Sequence, residues 1–518
     1  MGGRIELAGS FRPTPSSGLE VPRGNERLKV TVHLKHPDEP RHPPGSAEDF
    51  ARLRRVTTRK KLAIERARLF APARDLFKEF AVSHGLKLGP FRHARRTVTI
   101  SGTVAQMQAA FGADLRLGWQ EGQRTAFVRT GALLLPDAVA PWTRAVLGFD
   151  AGSRRLQPQS AAGDGAPGLW PSNIAQLYGF PPRSDATGQC IGIIAQGGAY
   201  RPEDIAQAAS QSGFPVPTIA FKSESGGPFG ANPAADRELA LDLQVLAGIA
   251  PNAKLVIYSA ANGTAGLAQA LHDAIFDPVN RPHVLSLCWG SSEDTWHDDV
   301  RDAVESALSD AVTLNVAVVV ASGDYLATGG MMDGSAHVFY PASSPYVLAC
   351  GGTAFQLDAE GGKIGEEEVW NDDMQQLGSG GGISGKCPVP DYQTGLTLPP
   401  SANTGAGPGR GVPDVAAMAS KTPGYRVILD GKLLAVPGTS GATPLWAALL
   451  TLANAQRTAP LGFPNHALYR NTHLFRAITN GDNKLNDVGY DAGAPWNACT
   501  GLGVPADAGE IIRALASA

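Results

Sequence analysis

Val316-Ala317-Val318-Val319-Val320-Ala321-Ser322-Gly323-Asp324 carries six apolar residues into a Ser-Gly turn and an aspartate. A run this short, rich in valine and closed by a turn signal, reads as a strand buried on both faces. Three similar runs precede it: Cys190-Ile191-Gly192-Ile193-Ile194, Lys254-Leu255-Val256-Ile257-Tyr258 and His283-Val284-Leu285-Ser286-Leu287. Their alternation with helical patterns predicts an α/β fold, a mostly parallel sheet with helices on both faces. Ligand sites in such sheets lie beyond the C-terminal strand ends, which is where Asp324 stands.

At 518 residues the chain is too long for one ordinary core, so at least two domains are expected. It is 43% hydrophobic and 18% charged, and no apolar run approaches the roughly 20 residues of a membrane span. The first thirty residues hold no apolar segment of the secretory type. The five cysteines, Cys190, Cys288, Cys350, Cys387 and Cys499, have no metal-ligand spacing, and their wide separation argues against a disulfide framework.

The net charge of −3 hides an asymmetry. Through Gln157 there are 27 Lys and Arg against 14 Asp and Glu, or +13, and the remainder carries −16. Such a split fits a nucleic-acid-binding region or two halves that bind each other. Residues 1–27 read as a flexible leader. Between 28 and 150, strand candidates at Leu28–Leu34 and Arg96–Gly102 interleave with a strongly basic helical stretch from Phe50 to about His84 and a helix at Thr103–Phe111. That is enough for a small α+β domain of the split βαβ, ferredoxin-like kind. Residues 151–168, small, polar and Gly-rich, read as a protease-sensitive linker, leaving 169–518 as the α/β domain.

Three stretches carry candidate chemistry. In Pro437-Gly438-Thr439-Ser440-Gly441-Ala442-Thr443-Pro444, a serine sits between a Gly-Thr turn and the first turn of an apolar helix. Either Thr439 or Ser440 simply caps that helix, or Ser440 is a rigidly held nucleophile whose own N–H faces an oxyanion. In Asp236–Val245, Glu238 and Asp242 are spaced i,i+4, so two carboxylates share one helix face. They form either a solvated acidic face or a coupled acid/base pair. Asp324 either caps its loop or, protonated, donates to an oxyanion.

Together these stretches resemble the sedolisins, the serine-carboxyl peptidases of subtilisin-like fold, especially the kumamolisin-like branch, over nearly the whole chain. The resemblance implies Ser440 as nucleophile, Glu238 as general base, Asp242 as the carboxylate behind it and Asp324 as the oxyanion acid. No histidine lies near these motifs, and Pro444-Leu445 stands where a subtilisin has Pro-His. Ser286-Leu287-Cys288-Trp289-Gly290 matches a family stretch expected to supply a substrate-pairing edge, with Ser286, Trp289 and Gly290 as substrate-binding residues. Residues 28–150 then become an activation prodomain that inhibits the enzyme until acid protonates the carboxylates holding it. Protein or peptide substrates, acid-dependent self-processing in the linker and a monomer are expected, without nucleic acid or membrane. The compartment is open: the mechanism wants acid, in a secreted or acidic setting, and no signal segment is visible. Two other classes remain, a catalytically idle binding protein and a hydrolase of non-peptide acyl groups.

The chain departs from the family at three places. Pro437 replaces a Gly or Ser, and Ala195 stands where close relatives place a glutamate that extends the carboxylate relay. The family calcium site uses an Asp-Ile pair and a Gly-x-Gly-x-Asp; here Ala477-Ile478 and Gly493-Ala494-Pro495-Trp496-Asn497 lack both carboxylates. Backbone carbonyls of Ile478, Gly493 and Pro495 alone make a weak ligand set, so the expectation is no tightly bound calcium and no other cofactor.

Overall fold

The computed structural model describes the chain except residues 1–2, 15–18, 40–42, 56, 121–122, 150–156, 159–167, 183, 224–226 and 261–262. Its main sheet has eight strands. In spatial order these are Ile219–Ser223, Lys254–Ser259, Cys190–Ala195, Val284–Leu287, Ala317–Ala321 and Leu348–Leu357, followed by Ile364–Val369 and Val415–Met418, which both pair with Leu348–Leu357. Every pairing is parallel except that of Ile364–Val369. The central strands Cys190–Ala195, Lys254–Ser259, Val284–Leu287 and Ala317–Ala321 are buried on both faces, which is why they read as continuous apolar runs rather than alternating ones. This is a subtilisin-like fold.

Two helices on the sheet carry the candidate site. Pro233–Ile249 starts on Asn232, whose side chain accepts from Ala235 N, and Thr439–Ala455 is buried from Thr439 through Asn454. The two pack against each other. Pro444 lies inside the second helix and removes the N–H that would bond the Ser440 carbonyl, so that carbonyl is left for a partner outside the helix. Glycine is obligatory at 441, where a Cβ would come within 2.0 Å of the Tyr425 ring.

Residues 27–147 contain a four-stranded antiparallel sheet ordered Lys87–Arg92, Thr97–Thr103, Arg27–Leu34, Thr143–Leu147. With strands numbered along the chain this is the order 2-3-1-4 of a ferredoxin-like unit, as expected. The basic stretch is three helices rather than one: Ala47–Leu53, Arg59–Leu69 and Ala71–Ser83. Thr58 caps the second through Lys61 N, and Pro72 opens the third, so local capping chemistry divides what charge patterning joined.

The expected flexible leader is corrected. Arg4–Glu6 pairs antiparallel with Leu134–Pro136, and Leu7, Ser10 and Arg12 are buried. Arg12 reaches across to Asp299 at 2.8 Å, a contact between residues 287 positions apart. Composition conceals such an anchor because Gly, Pro and charge dominate the segment. Of the expected linker, 151–156 and 159–167 lie outside the described residues, whereas Gln157–Pro158 forms a short strand.

The opposite charges of the two halves meet. Arg66 forks onto both oxygens of Asp310, Arg96 donates to Asp310 at 3.0 Å and to the Ser306 carbonyl, and Arg95 pairs with Asp273. Arg66, Arg96 and Asp310 are all buried, so the basic stripe is partly an internal interface rather than a solvated face. Asp310→Ala should strand two buried guanidinium groups and cost about 3–5 kcal/mol, measured as a lowered denaturation midpoint of the full chain.

Candidate active site

Glu238 and Asp242 sit on adjacent turns of Pro233–Ile249, each 1% exposed. The neighbouring Asp236 accepts from Ala199 N and Gly230 N, both at 2.7 Å, and so ties the surrounding loops to the first turn of this helix. The acidic pair is therefore not a solvated face. One oxygen from each of Glu238 and Asp242 lies within 4.8 Å of the other and of Cys288 Sγ. Burial first, and the charge of Glu238 second, push the Asp242 carboxyl well above its ordinary range; donors from Cys288 and Ser286 oppose that shift.

Asp324 follows the end of Ala317–Ala321, as the strand reading anticipates, and is also buried. Its Oδ1 accepts from Thr439 N at 2.8 Å and Thr439 Oγ1 at 2.7 Å. Its Oδ2 has no hydrogen-bond partner among the described residues, and neither does Ser440 Oγ, one residue beyond Thr439. Burial drives the Asp324 carboxyl well above the usual carboxylate range; the Thr439 donors oppose this, and the charge of nearby Glu238 adds to it. One Asp324 oxygen thus accepts two hydrogen bonds, and burial favours a proton on the other.

Gly323 gives way to the Phe339 ring, where a Cβ would come within 2.9 Å, so Phe339 packs over the turn that aims Asp324. Trp289–Ser292 forms a strand, the middle one of three. It pairs with Phe339–Tyr340 on one side and antiparallel with Gln157–Pro158 on the other, with Trp289 opposite Pro158 and Gly290 opposite Gln157. Ser286 does not belong to this strand. It lies inside the central sheet, opposite Ile193 and Val319, with both sides of its backbone occupied. Its hydroxyl instead serves Asp242 and lies 4.0 Å from Cys288 Sγ. Grouping Ser286 with Trp289 and Gly290 as one substrate-binding stretch overlooked the break between the two strands at Cys288.

Sequence reasoning also passed over Cys288. Its Sγ is 3.3 Å from Asp242 Oδ1 and 3.8 Å from the Ser440 carbonyl oxygen. The signal was present inside the quoted motif, but a single thiol without ligand spacing carried no weight there. All five cysteines are unpaired thiols.

The residues aligned with the family calcium site do not fit the ion. Asn497 Nδ2 donates to the Ile478 carbonyl at 3.1 Å and the Gly493 carbonyl at 2.8 Å, turning would-be ligands into hydrogen-bond acceptors. Its Oδ1 accepts from Cys499 N, Thr500 N and Thr500 Oγ1. Ala477 supplies no carboxylate, and of the nearby acids Asp482 engages Asn371 while Asp491 engages Lys484. A divalent cation there would displace a satisfied amide to gain neutral oxygens only. Chelator should leave the melting midpoint unchanged, whereas Ala477→Asp with Asn497→Asp should make it calcium-dependent; a fall of the parent chain's midpoint in EDTA would contradict this reading.

Comparison with known proteins agrees with the geometry. The Subtilase family model matches residues 218–487. Kumamolisin of Bacillus sp. (strain MN-32) is 39% identical over 450 residues, covering 83% of this chain and 80% of that protein. Sedolisin of Pseudomonas sp. (strain 101) is 28% identical, covering 94% of this chain and 86% of its own length. The solved structure of Pseudomonas sedolisin, a serine-carboxyl proteinase complexed with pseudo-iodotyrostatin, superposes with a TM-score of 0.60 at 28% identity, over 68% of this chain and 99% of that one. With four motifs in order and a subtilisin-like sheet beneath them, the chain belongs to the sedolisin family and is a serine-type peptidase.

Proposed function

We propose that the chain is an acid-acting endopeptidase made as a self-processing zymogen. The observation that carries this is the convergence of Ser440, Glu238, Asp242 and Asp324 beside a strand already paired with the chain's own Gln157–Pro158. Ser440 Oγ attacks the scissile carbonyl as its proton passes to the Glu238 carboxylate, and Asp242 shares that proton load. Asp324 Oδ2–H and the first-turn N–H of Ser440 stabilise the oxyanion. Collapse of the tetrahedral intermediate returns the proton to the leaving amine and leaves an acyl-enzyme, which water hydrolyses. Because burial raises the Asp324 carboxyl strongly, it stays protonated well past the point where an exposed aspartate would ionise.

Gln157–Pro158 pairs with Trp289–Ser292 as a substrate strand would. Trp289–Ser292 runs away from Cys288, which touches the Ser440 carbonyl, so the antiparallel Gln157–Pro158 runs toward Ser440. The bond cleaved lies within about three residues after Pro158, at strand spacing. Incubation at about pH 4 should yield that new N-terminus in the full chain but not in Ser440→Ala or Glu238→Ala. A Glu238→Ala chain that still processes itself would overturn the mechanism.

Acid release of residues 28–150 works through histidine rather than carboxylate. At the interface, His33 and His272 meet edge to face at 5.4 Å, both buried, with Arg96 and Arg144 acting on His33 and Arg95, Arg96 and Asp310 acting on His272. His272 Nδ1 donates to the Ala268 carbonyl. Burial lowers both imidazoles, His272 to about 4. The separated halves bind protons at the ordinary 6.5 or so, hence docking weakens as pH falls from there toward 4. Asp310 behaves oppositely: Arg66 and Arg96 outweigh its burial and lower it to about 2, so its ion pairs survive throughout that window. His33→Phe with His272→Phe should keep the ring packing and move the midpoint of processing down by about one pH unit; an unchanged midpoint would return the trigger to the carboxylates.

A further inference from the structure

Cys288 touches both catalytic helices while belonging to neither. It follows Val284–Leu287 in the central sheet and is completely buried. Its sulfur stands between Asp242 Oδ1 on Pro233–Ile249 and the Ser440 carbonyl on Thr439–Ala455. Pro444 cannot supply the intrahelical donor that this carbonyl would otherwise receive, so the thiol fills part of a gap made by the helix's own sequence. One thiol proton faces two acceptors. The shorter line leads to Asp242; a protonated Asp242 is a weaker acceptor than the carboxylate, which shifts the thiol's balance toward the Ser440 carbonyl.

We propose that Cys288 is a positioning residue for the reaction: its S–H anchors Asp242 and couples the protonation of the Glu238–Asp242 pair to the backbone that holds Ser440. The groups facing Asp242 are Glu238 on its own helix, with Cys288 and Ser286 from the central sheet; Cys288 in turn meets the Ser440 carbonyl. Asp324 faces the pair through Glu238. Both donors favour ionised Asp242 against burial. Among the described residues, Glu238 is the one acid that acts on Asp242, so the two donors are what opposes burial there. A buried thiol surrounded by carboxyls stays protonated, since burial and the charges of Asp242 and Glu238 all raise it, and it therefore remains a donor across the working range.

This inference rests on the serine-carboxyl reading above, and the test separates the two. Cys288→Ala and Cys288→Val remove the donor, and Val keeps the volume if Ala packs poorly; Cys288→Ser restores a donor. Loss of the donor raises Asp242, so the acid limb of the kcat profile should move up by about one pH unit, with kcat about ten-fold lower and KM unchanged because the Trp289–Ser292 edge is intact. Cys288→Ser should return both quantities to within about three-fold of the parent. In the unsubstituted chain, the infrared S–H band that Cys288→Ser abolishes should shift between about pH 3 and pH 6 as the pair titrates. Ala and Val variants with the parent profile, a Ser variant that behaves like Ala, or an S–H band indifferent to pH would each overturn the proposal. A Glu238→Ala chain that retains activity would overturn the serine-carboxyl reading itself, whereas loss of activity in Glu238→Ala with a parent-like Cys288→Ala would remove only the role of the thiol.

Discussion

Three carboxyl groups, Glu238, Asp242 and Asp324, are taken out of water at one end of the sheet, and the arrangement around them answers that expense. An isolated buried carboxylate costs several kcal/mol, so such groups hold protons or acquire donors. Each solution is visible. Asp324 receives two donors from Thr439 on one oxygen and keeps the other for a proton. Asp242 receives a thiol and a hydroxyl, both weaker than an ion pair, and remains raised. No arginine or lysine side chain is hydrogen-bonded to either aspartate among the described residues, in contrast with Asp310 and Asp414, which are each paired with arginine. The chain thus buries two kinds of acid, one paired with arginine and one held by uncharged donors alone.

The same contrast runs through the interface between the halves. Counting charge along the sequence identifies the attraction but does not distinguish groups that titrate in mild acid from groups that do not. Asp310 is gripped by two guanidinium groups that lower it to about 2, while His33 and His272, invisible to a charge count, are both lowered by burial, His272 to about 4. A strong ion pair makes a poor acid switch because the pairing that stabilises it also lowers its pKa. Buried imidazoles respond because burial has already cost them their protons.

Legibility followed the range of the interactions. The four strands read from Cys190, Lys254, His283 and Val316 are present within one residue or so of their expected ends, since a doubly covered parallel strand is apolar at every position. The i,i+4 carboxylates and the Gly-Thr-Ser turn were readable because helix geometry and a local turn suffice to place them. What stayed hidden depended on distant partners. Arg12 finds Asp299 only in the folded chain, Ser286 is removed from the substrate edge by neighbours on both sides, and Gln157–Pro158 becomes a strand only because Trp289–Ser292 offers an edge. Cys288 acquires significance from a proline on another helix, a relation that no local pattern expresses.

The C-terminal loops are joined to the site by neutral hydrogen bonds. Asn497 Oδ1 accepts from Cys499 N; the Cys499 carbonyl accepts from Ser379 Oγ; and Gly378, one residue earlier, donates its N–H to the Asp324 carbonyl. Ser379 Oγ also accepts from Gly352 N in the main sheet. A path of neutral hydrogen bonds therefore runs from the loop at Asn497 to the acid beside Ser440. Carboxylates that bind calcium lose their affinity as they protonate, whereas an amide has no proton to gain. With Ala477 and Asn497 at these positions, the hydrogen bonds made by the Asn497 amide are of a kind that a fall in pH leaves alone.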